Sequence, residues 1–218
     1  MRVKSMLVIG LGRFGTHLAE KLMELGNEVM VVDWDEESVN KIAPIVTKAQ
    51  IGDCMDIEVL RSLGARNFDI CFVCISENFQ SSLEITSQLK DLGAPCVISK
   101  TDRDIHAKFL LKIGADDIIY PERDMAQRAA VKYSASNAFD YIELTPEYAI
   151  FEIQVPSNWI GRSIGELMIR SKYNVNVIGV KKDRQMIPIT NTGYVFIADA
   201  HLIVAGTKED LRKLMDRG

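Results

Sequence analysis

Between Val3 and Tyr120, short runs of apolar and β-branched residues alternate with longer stretches of mixed polarity. Val3–Ile9, Glu28–Asp33, Val46–Gln50, Ile70–Ser76, Cys96–Ser99 and Ile118–Tyr120 are each bounded by Gly, Pro, Asn or Asp, and read as strands. The intervals carry helical spacing instead. Phe14, Leu18, Leu22 and Leu25 fall on one stripe that stops at Gly26. Leu83, Ile85, Leu89 and Leu92 form the apolar face of a helix that Asn78 would cap and a glycine would close. Strict alternation of strand and helix predicts a parallel sheet covered on both faces, an α/β doubly wound fold.

The pattern changes after Pro121. Residues 124–138 make one long helical stretch with no strand directly behind it, the layout of a connector. Beyond Thr145 and Pro146, Ala149–Val155 alternates as a strand, Ser163 opens a short helix over Ile164–Ile169, and Val175–Val180, Gln185–Ile189 and His201–Ala205 follow as strands. A helix from Lys208 closes the chain. Two domains result: residues 1–140, the sheet with its connector, and residues 141–218, a small α+β domain. The second is too small for a buried catalytic centre and suits a sensing or pairing module.

Composition narrows the classes. Hydrophobic residues are 47% of the 218, ample for packed cores, and the formal net charge is -4. The first 140 residues hold 16 Lys+Arg against 21 Asp+Glu and the remainder 10 against 9, so neither part is a basic reader of nucleic acid. No run approaches the roughly 18 apolar residues that span a bilayer, and the start lacks a signal-peptide layout, so a cytoplasmic protein is expected. Of the four cysteines, Cys71 and Cys74 form a C-x-x-C within a strand, where an offset of three turns the thiols to opposite faces. Cys54, Cys71, Cys74 and Cys96 are therefore expected to pack as small hydrophobes.

Gly10-Leu11-Gly12-Arg13-Phe14-Gly15 follows a strand and opens a helix, the context in which G-x-G-x-x-G binds a nucleotide or dinucleotide. Gly10 permits the turn, Gly12 lets phosphates approach the backbone, and Gly15 lets the helix lie close to the strand. The helix N-terminus supplies unpaired N–H groups to the phosphates. Asp33 closes the second strand eighteen residues beyond Gly15 and can accept hydrogen bonds from both ribose hydroxyls, while repelling a 2′-phosphate. The expected architecture is therefore a Rossmann-like doubly wound sheet.

Other candidates stand around this motif. Arg13 offers a fork of donors to phosphate oxygens, or is a solvated helix-start arginine. Asp53 in Gly52-Asp53-Cys54 sits at the carboxyl edge near the adenine side, or caps the helix beginning near Met55. Lys100 follows the fifth strand at the same edge and can meet a phosphate. Glu122 is a carboxylate for a divalent cation or a neighbouring subunit, or an acid favourable to a helix dipole. A hydride-transferring enzyme needs a placed acid–base group, and nothing puts His17, His106 or His201 at the nicotinamide end. The motif thus predicts nucleotide binding without reaction machinery.

These residues resemble the RCK (KTN, TrkA-like) family of cytoplasmic proteins that regulate potassium channels and Ktr/Trk-type transporters, in particular its Ktr-type subunits. The resemblance rests on the loop 10–15, Val31-Val32-Asp33, Gly52-Asp53, Leu63-Gly64-Ala65, Ile113-Gly114-Ala115-Asp116 and Ile119-Tyr120-Pro121-Glu122. Ile160-Gly161-Arg162-Ser163-Ile164 with Leu167 extends it into the second domain.

The resemblance implies a regulator that is not an enzyme. Its ATP or ADP would contact Gly10, Gly12, Arg13, Phe14, Gly15, Asp33, Asp53, Cys54 and Lys100, with Arg13 at the terminal phosphate. It implies Mg2+ or Ca2+ at Glu122 between paired subunits, and cyclic di-AMP at Arg170 and Asn176 in the second domain. It further implies homodimers paired through helix 124–138, an octameric ring of them, and a membrane K+ transporter or channel subunit as partner on the inner face of the cell membrane. NAD or NADH, sensed as in Trk-type members, is the alternative ligand, and a small NAD-dependent oxidoreductase the remaining one.

Overall fold

Period-two alternation sends Leu7 and Ile9 of β1 (Ser5–Ile9) into one core and Met6 and Val8 into another, so this strand is buried on both faces. The computed structural model describes residues 2–75, 77–134, 138–183 and 185–215. Around β1 lie β2 (Glu28–Asp33), β3 (Lys48–Ile51), β4 (Ile70–Val73), β5 (Val97–Lys100) and β6 (Asp117–Ile119), all parallel, in the order β3-β2-β1-β4-β5-β6. The helices between them are α1 (Arg13–Glu24), α2 (Glu36–Ile42), α3 (Ile57–Leu63), α4 (Phe79–Asp91) and α5 (Asp104–Lys112). This is the doubly wound, Rossmann-like sheet. Its strand order reverses between β1 and β4, where such folds open a crevice at the strands' carboxyl ends.

Several details depart from the sequence reading. β4 ends at Val73, and Ser76, the last residue of the predicted strand, lies outside the described residues. On α1 the buried residues are Gly15 and Ala19, while Leu25 is the exposed C-cap, because the helix lies too close to the sheet for large side chains at the contact. On α4 the buried face is Ser82, Ile85, Thr86 and Leu89, with Leu83 and Leu92 half-buried. A hydroxyl is accommodated there because Thr86 Oγ1 bonds Ser99 Oγ at 2.8 Å. Cys71 enters one core and Cys74 the other, and burial pushes both thiols up to about 12, so they pack as inert hydrophobes.

The chain divides into two compact units between Arg123 and Asp124, inside α6 (Pro121–Ser134), whereas the sequence boundary at 140 would assign the connector to the first. Residues 135–137 of the predicted connector lie outside the described residues, and Ala138 begins a strand that the sequence reading lacks. The second unit is an antiparallel sheet of order β10-β9-β11-β8-β7, comprising β7 (Ala138–Glu143), β8 (Tyr148–Gln154), β9 (Asn176–Lys182), β10 (Gln185–Pro188) and β11 (His201–Thr207). Trp159, Phe196, Leu202 and α9 (Lys208–Met215), through Leu211 and Leu214, fill its core. The predicted helix 164–169 is interrupted at Met168, which takes a left-handed φ of 46°, and becomes α7 (Ile164–Leu167) and α8 (Ile169–Tyr173). Ser163 and Glu166 cap α7 reciprocally. Among the described residues no helix is long and apolar enough to cross a membrane.

One buried carboxylate makes the second unit's stability pH-dependent. Glu152, only 8% exposed, accepts from Lys181 Nζ at 2.7 Å and pairs with His201 Nδ1 at 2.7 Å. Burial alone would raise its pKa, but the hydrogen bonds with Lys181 and His201 outweigh this and hold it below the usual value of 4.5. A folded-state pKa below the unfolded one stabilises the fold above the unfolded value and ceases to do so as pH falls through the folded value. Glu152→Gln should lose about 1–3 kcal/mol at neutral pH and flatten the loss of Tm on acidification below about pH 4.5. Thermal melts between pH 7 and 3 test this, and an unaltered acid slope would refute it.

Candidate functional site

The glycine loop runs from the end of β1 into α1, and its three glycines meet three different demands. Gly10 adopts φ +95°, a left-handed conformation that suits glycine, and donates its N–H to Val32 O at 2.9 Å. A Cβ on Gly15 would stand 1.9 Å from Gly10 O, so this position fixes how closely helix and strand approach. Gly12, the α1 N-cap, has an ordinary extended conformation, and a Cβ there would meet nothing within 4 Å. No fold contact requires glycine at 12. Its open space lies at a helix start that has no side-chain cap and no acid in its first turn, which leaves N–H groups for an anion.

Asp33, the last residue of β2, ties the loop to the sheet. One of its carboxylate oxygens accepts from the Leu11 N–H and the other from the Asp35 N–H at 2.8 Å. Each oxygen retains a second lone pair, sufficient for ribose hydroxyls. Beside it opens a cleft of about 660 Å3, lined by Gly10, Asp33, Trp34, Asp53, Cys54 and Glu77 among others. That size suits a nucleoside-sized ligand. Cys54 is an unreactive wall, its thiol pushed up to about 12 by burial and by Asp53 and Asp33. Asp53 is not the helix cap: its side chain accepts from Met55 N at 2.9 Å in a local turn, and Asp56 caps α3.

Arg13 is the first residue of α1 and is exposed; among the described residues its side chain makes no hydrogen bond or ion pair. Phe14 and the more distant candidates form a second group. Lys100 Nζ lies 5.8 Å from the Phe14 ring centroid and donates to Glu122 Oε1 at 2.8 Å. That hydrogen bond holds the Glu122 carboxyl below its usual range against the opposing effect of burial. Lys100 ends β5, on the far side of β4 from Asp33 and Asp53. Its charge is already matched by a carboxylate.

A cation does not fit Glu122 within one chain. The carboxylate faces an ammonium, and among the described residues no three His, Cys, Asp or Glu side chains converge. In the second unit Arg170 lies on α8 and Asn176 opens β9, and both are exposed. The sequence reading missed Trp34 and Glu77 as cleft residues. Their signal was positional: Trp34 directly follows β2, and Glu77 lies just past β4, at the carboxyl edge where open α/β sheets bind ligands.

With this geometry in hand, comparison with known proteins identifies the lineage. Residues 6–121 match the TrkA-N domain and residues 148–217 the TrkA-C domain. The chain is 42% identical over 214 residues to Ktr system potassium uptake protein C of Bacillus subtilis (strain 168), covering 98% of this chain and 97% of that protein. Ktr system potassium uptake protein A of the same organism is 36% identical over 215 residues, with 99% and 97% covered. The GsuK channel superposes with a TM-score of 0.70 at 19% identity, covering 100% of this chain and 39% of the channel's. A parallel nucleotide-type sheet matched to TrkA-N, followed by an antiparallel unit matched to TrkA-C, means that the chain belongs to the RCK (KTN) family, in its two-domain TrkA-N/TrkA-C form.

Proposed function

We propose that this chain is a nucleotide-sensing regulatory subunit of a potassium uptake system, and that ATP and ADP are the ligands it distinguishes. One observation carries the nucleotide reading: the open space at Gly12, over an uncapped helix start, beside the Asp33 carboxylate and its cleft. The potassium role is supported by 42% and 36% identity to two Ktr system potassium uptake proteins over nearly their whole lengths. In this reading the ion path belongs to a membrane partner. Homodimers of this chain, assembled as a ring of eight, would dock on its cytoplasmic face.

The sensing step is electrostatic and requires no chemical turnover. Arg13 stands at the helix start with its guanidinium uncommitted among the described residues, so a third phosphate has a partner that ADP does not reach. A ligand shifts a conformational equilibrium only by its differential affinity for the two states, so this one contact must be formed more strongly in one ring geometry than in another. A divalent cation at Glu122 would be completed by a paired subunit, because within the chain Lys100 Nζ holds one of its carboxylate oxygens. Cyclic di-AMP at Arg170 and Asn176 is retained as a second ligand, since both side chains are exposed.

Arg13→Ala tests the assignment. Loss of one charge-assisted contact, worth about 1.5–3 kcal/mol, should weaken ATP roughly ten- to hundredfold and ADP far less. Calorimetric titration of wild type and variant with both nucleotides checks it, and an ATP-to-ADP affinity ratio left unchanged would sink the sensing role. NAD(H) is the second reading, because it presents the same adenosine ribose to Asp33. Thermal shifts with ATP, ADP and NADH separate the two.

A further inference from the structure

We infer that Trp34 is the base-stacking wall of the cleft, the residue by which this chain grips the purine of its ligand whatever phosphate tail that ligand carries. The inference rests on the nucleotide reading above. Trp34 is 77% exposed, whereas the chain's other tryptophan, Trp159, is 1% exposed in the core of the second unit. Exposed position alone would mean little. What gives it meaning is that the indole lines the same cleft as Asp33, and that among the described residues it stacks on no other ring.

The backbone on either side of the indole is fixed. Asp33 O accepts from Gly52 N at 2.9 Å, Asp33 Oδ1 accepts from Asp35 N at 2.8 Å, and the Asp35 carboxylate caps α2 through the Ser38 N–H at 3.0 Å. The chain on both sides of Trp34 is thereby held in place, and no such bond ties down the Trp34 side chain among the described residues. If Asp33 holds the ribose hydroxyls, the base leaves the same sugar ring one residue's reach away, next to the position that follows Asp33. Ile75, Ile85 and Met55 supply apolar surface elsewhere in the cleft, so a flat ring has lining besides the indole to rest on. An indole carries no charge and offers one N–H donor, so it reads a π-face and is indifferent to the number of phosphates.

Stacking of a base on an aromatic side chain is typically worth a factor of about ten or more in affinity. Trp34→Ala should therefore weaken ATP, ADP and NADH by a similar factor of about ten, leaving the ATP-to-ADP ratio and the melting temperature of the free protein as in wild type. Trp34→Phe should retain most of the affinity. Because Trp159 is enclosed in the other unit, saturating nucleotide should change tryptophan emission in wild type, and Trp34→Phe should abolish that change while still binding by calorimetry. Wild type that binds nucleotide while Trp34→Ala stays within twofold of it would overturn this inference alone. Wild type that binds none of the three would overturn the nucleotide reading and this inference with it.

Discussion

Gly15→Ala is expected to cost the first unit about 3 kcal/mol or more and to lower its melting temperature by on the order of 10 °C. The added Cβ would lie 1.9 Å from Gly10 O, where real Cβ contacts essentially never come below 3.0 Å, and 3.2 Å from Cys74 Cβ. The obstacle is backbone, so no flexible side chain can swing away to make room. Gly10 is itself fixed by its left-handed φ and its hydrogen bond to Val32. The helix must lift from β1, exposing surface around Ala19, which is fully buried at the same contact. Denaturant or thermal unfolding of the variant against wild type measures the effect. A loss below about 1 kcal/mol would mean that helix and strand do not pack as described.

That contact also explains what the sequence revealed and what it withheld. β1, β2 and β4 were legible because their apolar residues are buried on both faces of the sheet, whereas the edge strands β3 and β6 carry no such burial. The glycine motif was legible because Gly10 and Gly15 answer local backbone demands, while Gly12 leaves the helix start open. The contact side of α1 was not: the stripe of Phe14, Leu18, Leu22 and Leu25 flanks a seam made by Gly15 and Ala19, and hydropathy ranks large residues above small ones. On α4 the same bias overlooked the buried Ser82 and Thr86, the latter paired with Ser99 of β5.

β7 escaped because Tyr141 is the residue of that strand sunk in the core, with its hydroxyl donated to Glu143 at 2.6 Å, so no alternation announces it. Tertiary pairings were equally hidden. Lys100 and Glu122 were each read as free to meet a ligand, yet the fold brings them into one ion pair beside Phe14. Asp33 was legible as a ribose acid by its spacing, and its grip on Leu11 and Asp35 was not. Trp34 illustrates the general point: residue type suggests chemistry, but membership of a cleft is decided by which strand ends the topology places side by side.

Gly12→Ala, three residues before Gly15, should have the opposite profile. Its backbone is extended, at φ -63° and ψ 179°, which alanine adopts freely, and the new methyl meets no protein atom within 4 Å. The cost to folding should therefore stay within about 1 kcal/mol, the scale of losing a glycine N-cap. The cost to binding should not. Phosphate oxygens seated on the N–H groups at the start of α1 need the space that the methyl would take, and each hydrogen bond lost to a charged group is worth about 1.5–3 kcal/mol. Nucleotide affinity is accordingly expected to fall by about a hundredfold or more, close to 2.7 kcal/mol, with ATP and ADP affected together because both place a pyrophosphate there. Calorimetric titration beside a melting curve checks both halves at once. A stable variant that binds as wild type does would remove the phosphates from this helix start, and with them the position from which Arg13 is argued to count them.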